Sequence, residues 1–114
     1  MNQGELVLAN FPFSDLSKAK VRPALIVSND RYNASGSDLL VCAITSNPKS
    51  YEYAVSIESS DMDSGRLLVP SKIKSDKLML MAKSQIIKTL GKLSKQKFAE
   101  TKQKIVELIS DETE

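Results

Sequence analysis

Val21-Arg22-Pro23-Ala24-Leu25-Ile26-Val27-Ser28-Asn29-Asp30 is the stretch on which the reading of this chain turns. Its aliphatic centre, closed by Ser28-Asn29-Asp30, predicts a strand over about Arg22 to Ser28 buried on both faces. Pro23 confines the backbone of Arg22 to an extended conformation, which fixes the direction from which its side chain starts. A second apolar run, Leu39-Leu40-Val41-Cys42-Ala43-Ile44, predicts another strand that ends in Thr45-Ser46 before Asn47-Pro48. If the two runs are neighbours, an arginine and a threonine-serine pair meet at one end of a sheet. That is an anion site in a chain without histidine.

Outward from this pair, Glu5 to Asn10 reads as a strand that Phe11-Pro12-Phe13 breaks, because proline cannot donate to a ladder. Ser14 to Lys20 is a polar connection, and Asn29 to Asp38 a loop by composition. Tyr53, Val55 and Ile57 alternate with small or polar residues, the period of a half-buried strand. An acidic turn is expected around Asp61 to Gly65, then a strand over Leu67 to Val69 and Ile73, edged at Pro70. Leu78 to Met81 fits a strand and a helical turn equally, and Ile86 to Leu93 reads as the last strand. A helix follows: Ser94 suits its N-cap, and Phe98, Thr101, Ile105, Leu108 and Ile109 form one stripe. Glu100 and Lys104 stand four apart with the acid first, a favourable pair.

Five to seven short strands and one long C-terminal α-helix predict a mainly β fold, a small, mostly antiparallel barrel with the helix against it. A chain of 114 residues suits one domain over residues 1–114, and its small core favours a dimer. No apolar run approaches the length of a membrane span and the start lacks a signal peptide's features, so a cytoplasmic protein is expected. Cys42 lies inside an apolar run and reads as a packed core thiol; a nucleophilic role would need an activating histidine. Acids are scattered, so neither a metal cluster nor a cofactor is expected. The net charge of +2 conceals segregation: residues 72–104 hold ten lysines against Asp76 and Glu100, whereas Glu52, Glu58, Asp61 and Asp63 form an acidic stretch. Such a basic segment suits phosphates, or merely solvates a helix and exposed strands.

Gly4-Glu5-Leu6-Val7-Leu8, Phe11-Pro12-Phe13, the Arg22 to Asp30 stretch, Ile44-Thr45-Ser46, Leu68-Val69-Pro70-Ser71 and Gly91-Lys92-Leu93-Ser94, in that order, resemble the MazF/PemK family of toxins. The resemblance runs from Gly4 to about Ile109. It implies an SH3-like barrel of the MazF/CcdB kind with a C-terminal helix, working as a homodimer. It also implies a metal-independent endoribonuclease that cuts single-stranded messenger RNA at short sequences and is restrained by a cognate antitoxin. The family's key arginine and threonine fall on Arg22 and Thr45, with Ser46 beside the latter, and its mobile loop falls on Phe11 to Lys20. The implied chemistry is attack of a ribose 2′-hydroxyl on the adjacent phosphorus, giving a cyclic phosphate and a 5′-hydroxyl. Some members also use an arginine and an aspartate where this chain has Val69 and Ser71.

That chemistry builds negative charge on nonbridging phosphate oxygens, which a planar, permanently charged guanidinium stabilises through two parallel hydrogen bonds. Arg22 suits this role, with Thr45 and Ser46 as further donors; otherwise Arg22 is a surface residue paired with Asp15 or Asp30, and Thr45-Ser46 form a turn. Asp15 is the first candidate for the base, or caps a turn. Lys18, Lys20, Lys72 and Lys74 are candidate phosphate contacts, and Ser14, Ser17 and Ser71 candidate positioning groups or ordinary loop residues. Phe11, Phe13 and Tyr51 can stack on splayed bases, unless Phe11 and Phe13 belong to the core. Two rivals remain: a non-catalytic RNA- or protein-binding module of the same fold, and a gyrase poison of the CcdB kind. The polar end Ser110-Asp111-Glu112-Thr113-Glu114 lacks the apolar, tryptophan-containing tail of the latter.

Overall fold

The protein is described by a computed structural model that covers residues 1–12 and 20–112. Seven strands, β1 (Glu5–Phe11), β2 (Lys20–Ile26), β3 (Asp38–Thr45), β4 (Ala54–Ile57), β5 (Met62–Gly65), β6 (Ser71–Ala82) and β7 (Ile86–Leu93), form one sheet in the order β4-β6-β3-β2-β1-β7-β5. Every pairing is antiparallel. The sheet curls into a half-barrel and the helix α2 (Lys95–Ile109) packs on it, the mainly β architecture expected. The β3–β6 register breaks between Cys42 and Ile44, where β6 carries extra residues. A bulge of this kind bends a strand sharply, so the two halves of β6 serve two parts of the sheet.

The curl produces two cores. Leu6, Leu25, Cys42, Ile44, Val55, Ile57, Ile73 and Leu93 form the first, against which Phe98 and Ile105 of α2 pack. Val7, Ala9, Phe11, Ala24, Ile26, Leu39, Val41 and Met81 form the second. Ala24, Leu25 and Ile26 are all fully buried because alternate side chains of β2 enter different cores, which explains the continuous aliphatic run. Ser94 caps α2 by accepting a hydrogen bond from the Lys97 amide at 3.2 Å, as its place in the sequence predicts.

Several expectations are corrected. The Asn29 to Asp38 loop contains a helix, α1 (Asp30–Ser35), which has no apolar stripe and is built by polar contacts. Asn29 accepts from the Tyr32 amide at 2.8 Å, and buried Asn33 bonds the Ser28 hydroxyl and, at 3.0 Å, the Ser28 carbonyl. The acidic turn begins as a 3₁₀ turn at Ser59–Asp61 and continues as β5, whereas 67–69 lie outside any strand. Residues as poor in β-propensity as those of β5 pair because Gly65 and Gly91 let it approach β7 closely: a Cβ on Gly65 would stand 2.1 Å from the Leu90 carbonyl oxygen. In α2 the buried stripe stops short of its predicted end, with Leu108 and Ile109 exposed. Glu100 pairs with Lys97 at 3.1 Å rather than with Lys104.

Candidate functional site

Cross-strand register brings the sequence-predicted site together. Arg22 pairs with Ala9 of β1, Thr45 with Lys72 of β6, and Lys72 with Ser56 of β4. The β2–β3 register, defined by Ala24↔Ala43 and Leu25↔Cys42, sets Arg22 opposite Thr45 when continued by two residues. Residues paired across antiparallel strands share a face, so Arg22, Thr45, Lys72 and Ser56 form one row across four strands. The row faces away from the first core, because its neighbours Ile44, Ile73 and Val55 all point into that core. At its β4 end, Ser56 and Lys72 line a cavity with Lys97 of α2.

The groups in this row are fixed to different degrees. Arg22 is exposed, and among the described residues its guanidinium makes no ion pair; Asp30 instead accepts from the Gln3 amide at 2.7 Å. Thr45 Oγ1 accepts from the Asn47 amide at 3.1 Å, and Asn47 Oδ1 accepts from the Lys49 amide at 3.0 Å. The turn-forming role of this strand end is thus realised, while the Thr45 hydroxyl keeps its proton to donate outward. Lys72 Nζ donates to the carbonyls of Lys49 at 2.9 Å and Pro48 at 3.3 Å, binding the β3–β4 connection to β6. An ammonium has three donors, so one remains for an anion.

Beside the row, the Lys74 ammonium stands 4.2 Å from the centre of the Tyr51 ring and that of Lys49 5.9 Å away. Two cations on one half-buried aromatic ring make a surface attractive to phosphate and base together. Phe11, by contrast, belongs to the second core with 6% exposure, so its ring is not open for stacking. Ser71 is buried and its hydroxyl donates to the Val69 carbonyl at 3.0 Å. Lys20 opens β2 on the same face as Arg22 and is exposed. Phe13, Ser14, Asp15, Ser17 and Lys18 lie outside the described residues.

Sequence reasoning missed Lys49 and Ser56, whose contribution depends on the β4–β6 register and on the turn at Asn47. It also missed a cavity of about 400 Å³ lined by Ser46 and Lys72 together with Glu58, Asp61 and Lys97. Cys42 is fully buried; burial first, and then the charge of Asp76, push its thiol up from 9.0 to about 12. A thiol so protonated is a core group and not a nucleophile. Among the described residues no three histidine, cysteine or acidic side chains cluster as metal ligands would, and no helix is long and apolar enough to cross a membrane.

Comparison with known proteins gives a consistent result. The family model for PemK-like, MazF-like toxins of type II toxin-antitoxin systems matches residues 2–109. The crystal structure of MazF from Deinococcus radiodurans is 25% identical, aligns over 96% of this chain and 96% of that chain, and superposes with a TM-score of 0.78. A MazE-MazF complex from the same organism is 24% identical over 96% and 95%, with a TM-score of 0.79. A mycobacterial endoribonuclease in complex with its cognate antitoxin is 16% identical over 94% and 92%, with a TM-score of 0.76. These last two show likeness of fold alone. The search of curated proteins gave no match.

Proposed function

Because the chain belongs to the family of PemK-like, MazF-like toxins of type II toxin-antitoxin systems, whose members are in general endoribonucleases, we propose that it cuts single-stranded messenger RNA at short sequences without a metal ion. The observation that carries this reading is the row of exposed Arg22 and half-buried Thr45 and Lys72 at one sheet end. In the proposed reaction the ribose 2′-oxygen loses its proton to a base and forms a bond to the adjacent phosphorus. The bond from phosphorus to the 5′-oxygen breaks, and that oxygen takes up a proton. The products are a 2′,3′-cyclic phosphate and a 5′-hydroxyl end.

Charge gathers on the nonbridging oxygens during this exchange, and in this reading the Arg22 fork and the Thr45 hydroxyl donate to them. Ser46 adds a donor past the strand end, and the third donor of Lys72 holds a neighbouring phosphate. Tyr51 and Lys74 bind the strand further along by stacking and charge. Asp15 is assigned as the base; Lys18, Ser14, Ser17 and Phe13 of the same connection are assigned to substrate contact, with Lys20 at its end. The residues 1–114 act as one toxin domain, a homodimer in the cytoplasm held inactive by a cognate antitoxin, by analogy with the MazE-MazF complex.

The test is incubation of purified wild type and Arg22→Ala with mixed single-stranded RNA in excess EDTA, followed by identification of the product ends. Cleavage by wild type alone, leaving cyclic phosphate ends, supports the reading. Intact RNA with both proteins refutes it and favours a binding module.

A further inference from the structure

The cavity beside the Thr45 strand end lies at the β4 edge of the sheet, where Ser46 and Lys72 form one wall and the 3₁₀ turn at Ser59–Asp61 another. We propose that it is a nucleobase pocket that sets cleavage specificity: it receives the base next to the scissile phosphate and prefers one bearing an exocyclic amino group over uracil. The proposal rests on the ribonuclease reading for its place in the reaction, but the pocket's chemistry stands on its own.

Location comes first. A phosphate held by Arg22 and Thr45 has Lys72 and Ser46 as its next neighbours, and both line the cavity. A strand anchored at the row therefore carries its adjoining base to the cavity mouth. At about 400 Å³ the space holds one base and some water, not a structured element. Pro48 and Pro70 give it apolar walls suited to a flat ring.

Charge then separates base from backbone. Lys97 also lines the cavity, but its ammonium is paired with Glu100 at 3.1 Å, and Lys72 stands on the wall toward the row, so Glu58 and Asp61 make the far corner poor for a phosphate and suited to an uncharged group that offers N–H donors. The Asp61 carboxylate is already oriented. The Glu58 amide donates to Asp61 Oδ2 at 2.9 Å, and the Asp61 amide donates to the Glu58 carbonyl at 2.9 Å, so the turn holds the Asp61 side chain in place beside Glu58. Both carboxylates retain acceptor capacity. Carboxylates of this kind accept from the amino group of cytosine, and adenine and guanine present comparable amino donors. Uracil offers one N–H between two carbonyl oxygens, which face the carboxylates unfavourably. On the other wall, Asn47 Oδ1 is engaged by the Lys49 amide, so its Nδ2 is the atom left to donate to a ring nitrogen or carbonyl of the same base.

The experiment uses the full-length protein. Wild type, Glu58→Gln and Asp61→Asn are each given a pool of single-stranded RNA with a randomised segment, and the new 5′-hydroxyl ends are sequenced. Asp61→Asn keeps an oxygen to accept from the Glu58 amide, and thermal melting checks that the fold is retained in both variants. Discrimination against uracil at one fixed position beside the cut should fall by about tenfold or more in each variant, the scale of one lost base-edge contact. Titration of CMP and UMP by NMR gives a readout that needs no cleavage: CMP should shift the amides of residues 56–61 more than UMP, and Glu58→Gln should remove the difference. Superimposable cleavage profiles of the variants and wild type overturn the pocket, as do equal shifts with CMP and UMP. A wild type that cuts no RNA overturns the ribonuclease reading alone, and CMP-selective shifts then still support the pocket.

Discussion

Arg22→Lys separates the guanidinium's geometry from its charge. Arg22 is exposed and stands opposite the small Ala9, and among the described residues it makes no ion pair, so none of them depends on it for packing or charge. Its replacement should change folding stability by no more than about 0.5 kcal/mol. Lysine keeps the positive charge but replaces two parallel N–H donors by a point charge. Losing one preorganised donor aimed at developing charge costs about 3 kcal/mol in the barrier. At 1.36 kcal/mol per decade, that is a fall in rate of roughly 150-fold. The assay is the initial cleavage rate of a short fluorescent RNA, read beside thermal melting. Because charge is preserved, the salt dependence of RNA binding should hardly change. A lysine variant within about threefold of wild type would refute the bidentate role, far short of the effect expected of a donor lost at the transition state. A matching drop in melting temperature would refute the claim that the side chain carries no structural load.

Other outcomes follow from the same geometry. Tyr51→Ala should weaken binding of single-stranded RNA by about 1–3 kcal/mol, measured by fluorescence anisotropy in an Arg22→Ala background so that the RNA stays whole; unchanged affinity would remove Tyr51 from the site. A Cβ on Gly91 would lie 2.2 Å from the Ser64 carbonyl oxygen, a backbone atom that cannot yield cheaply, whereas one on Gly36 meets nothing within 4 Å. Gly91→Ala should therefore cost about 2 kcal/mol or more in urea unfolding and Gly36→Ala about 0.5 kcal/mol or less; similar values for the two would contradict the close β5–β7 contact. The Cys42 thiol, raised from 9.0 to about 12, should resist iodoacetamide at pH 8 in the native protein and react once the chain is unfolded in urea. Its raised value also means that the unfolded chain loses this proton first as pH rises. Wild-type stability should then decline between pH 9 and about 12 more steeply than that of Cys42→Ala, and parallel profiles would show that burial does not hold the proton.

The sequence by itself determined that strands run through Arg22 and end at Thr45, because aliphatic runs bounded by proline, asparagine and serine carry their own signal, although the first was expected over Arg22 to Ser28 and runs two residues earlier, over Lys20–Ile26. It determined α2 as well, through its N-cap at Ser94 and a helical stripe. Short-range pattern did not reveal α1, which Asn29 and Asn33 stabilise by polar bonds without amphipathic spacing, or β5, whose residues pair only because two glycines let the strands close up. Phe11 illustrates the same limit: an aromatic beside a polar connection is compatible with stacking or with burial, and only the second core decides for burial.

For the site, residue types were legible and neighbourhood was not. Arginine before proline and threonine at a strand end announce groups fit for a phosphate. That Lys72 stands next to Thr45, that its ammonium is bound to the turn after Asn47, and that Lys74 covers Tyr51 depend on register between strands more than twenty residues apart. Register follows from how alternating side chains share two cores, and a slip of one residue would send every member of the row to the opposite face. The chain thus specifies locally which groups can meet an anion, and the curled sheet alone specifies which of them meet it together.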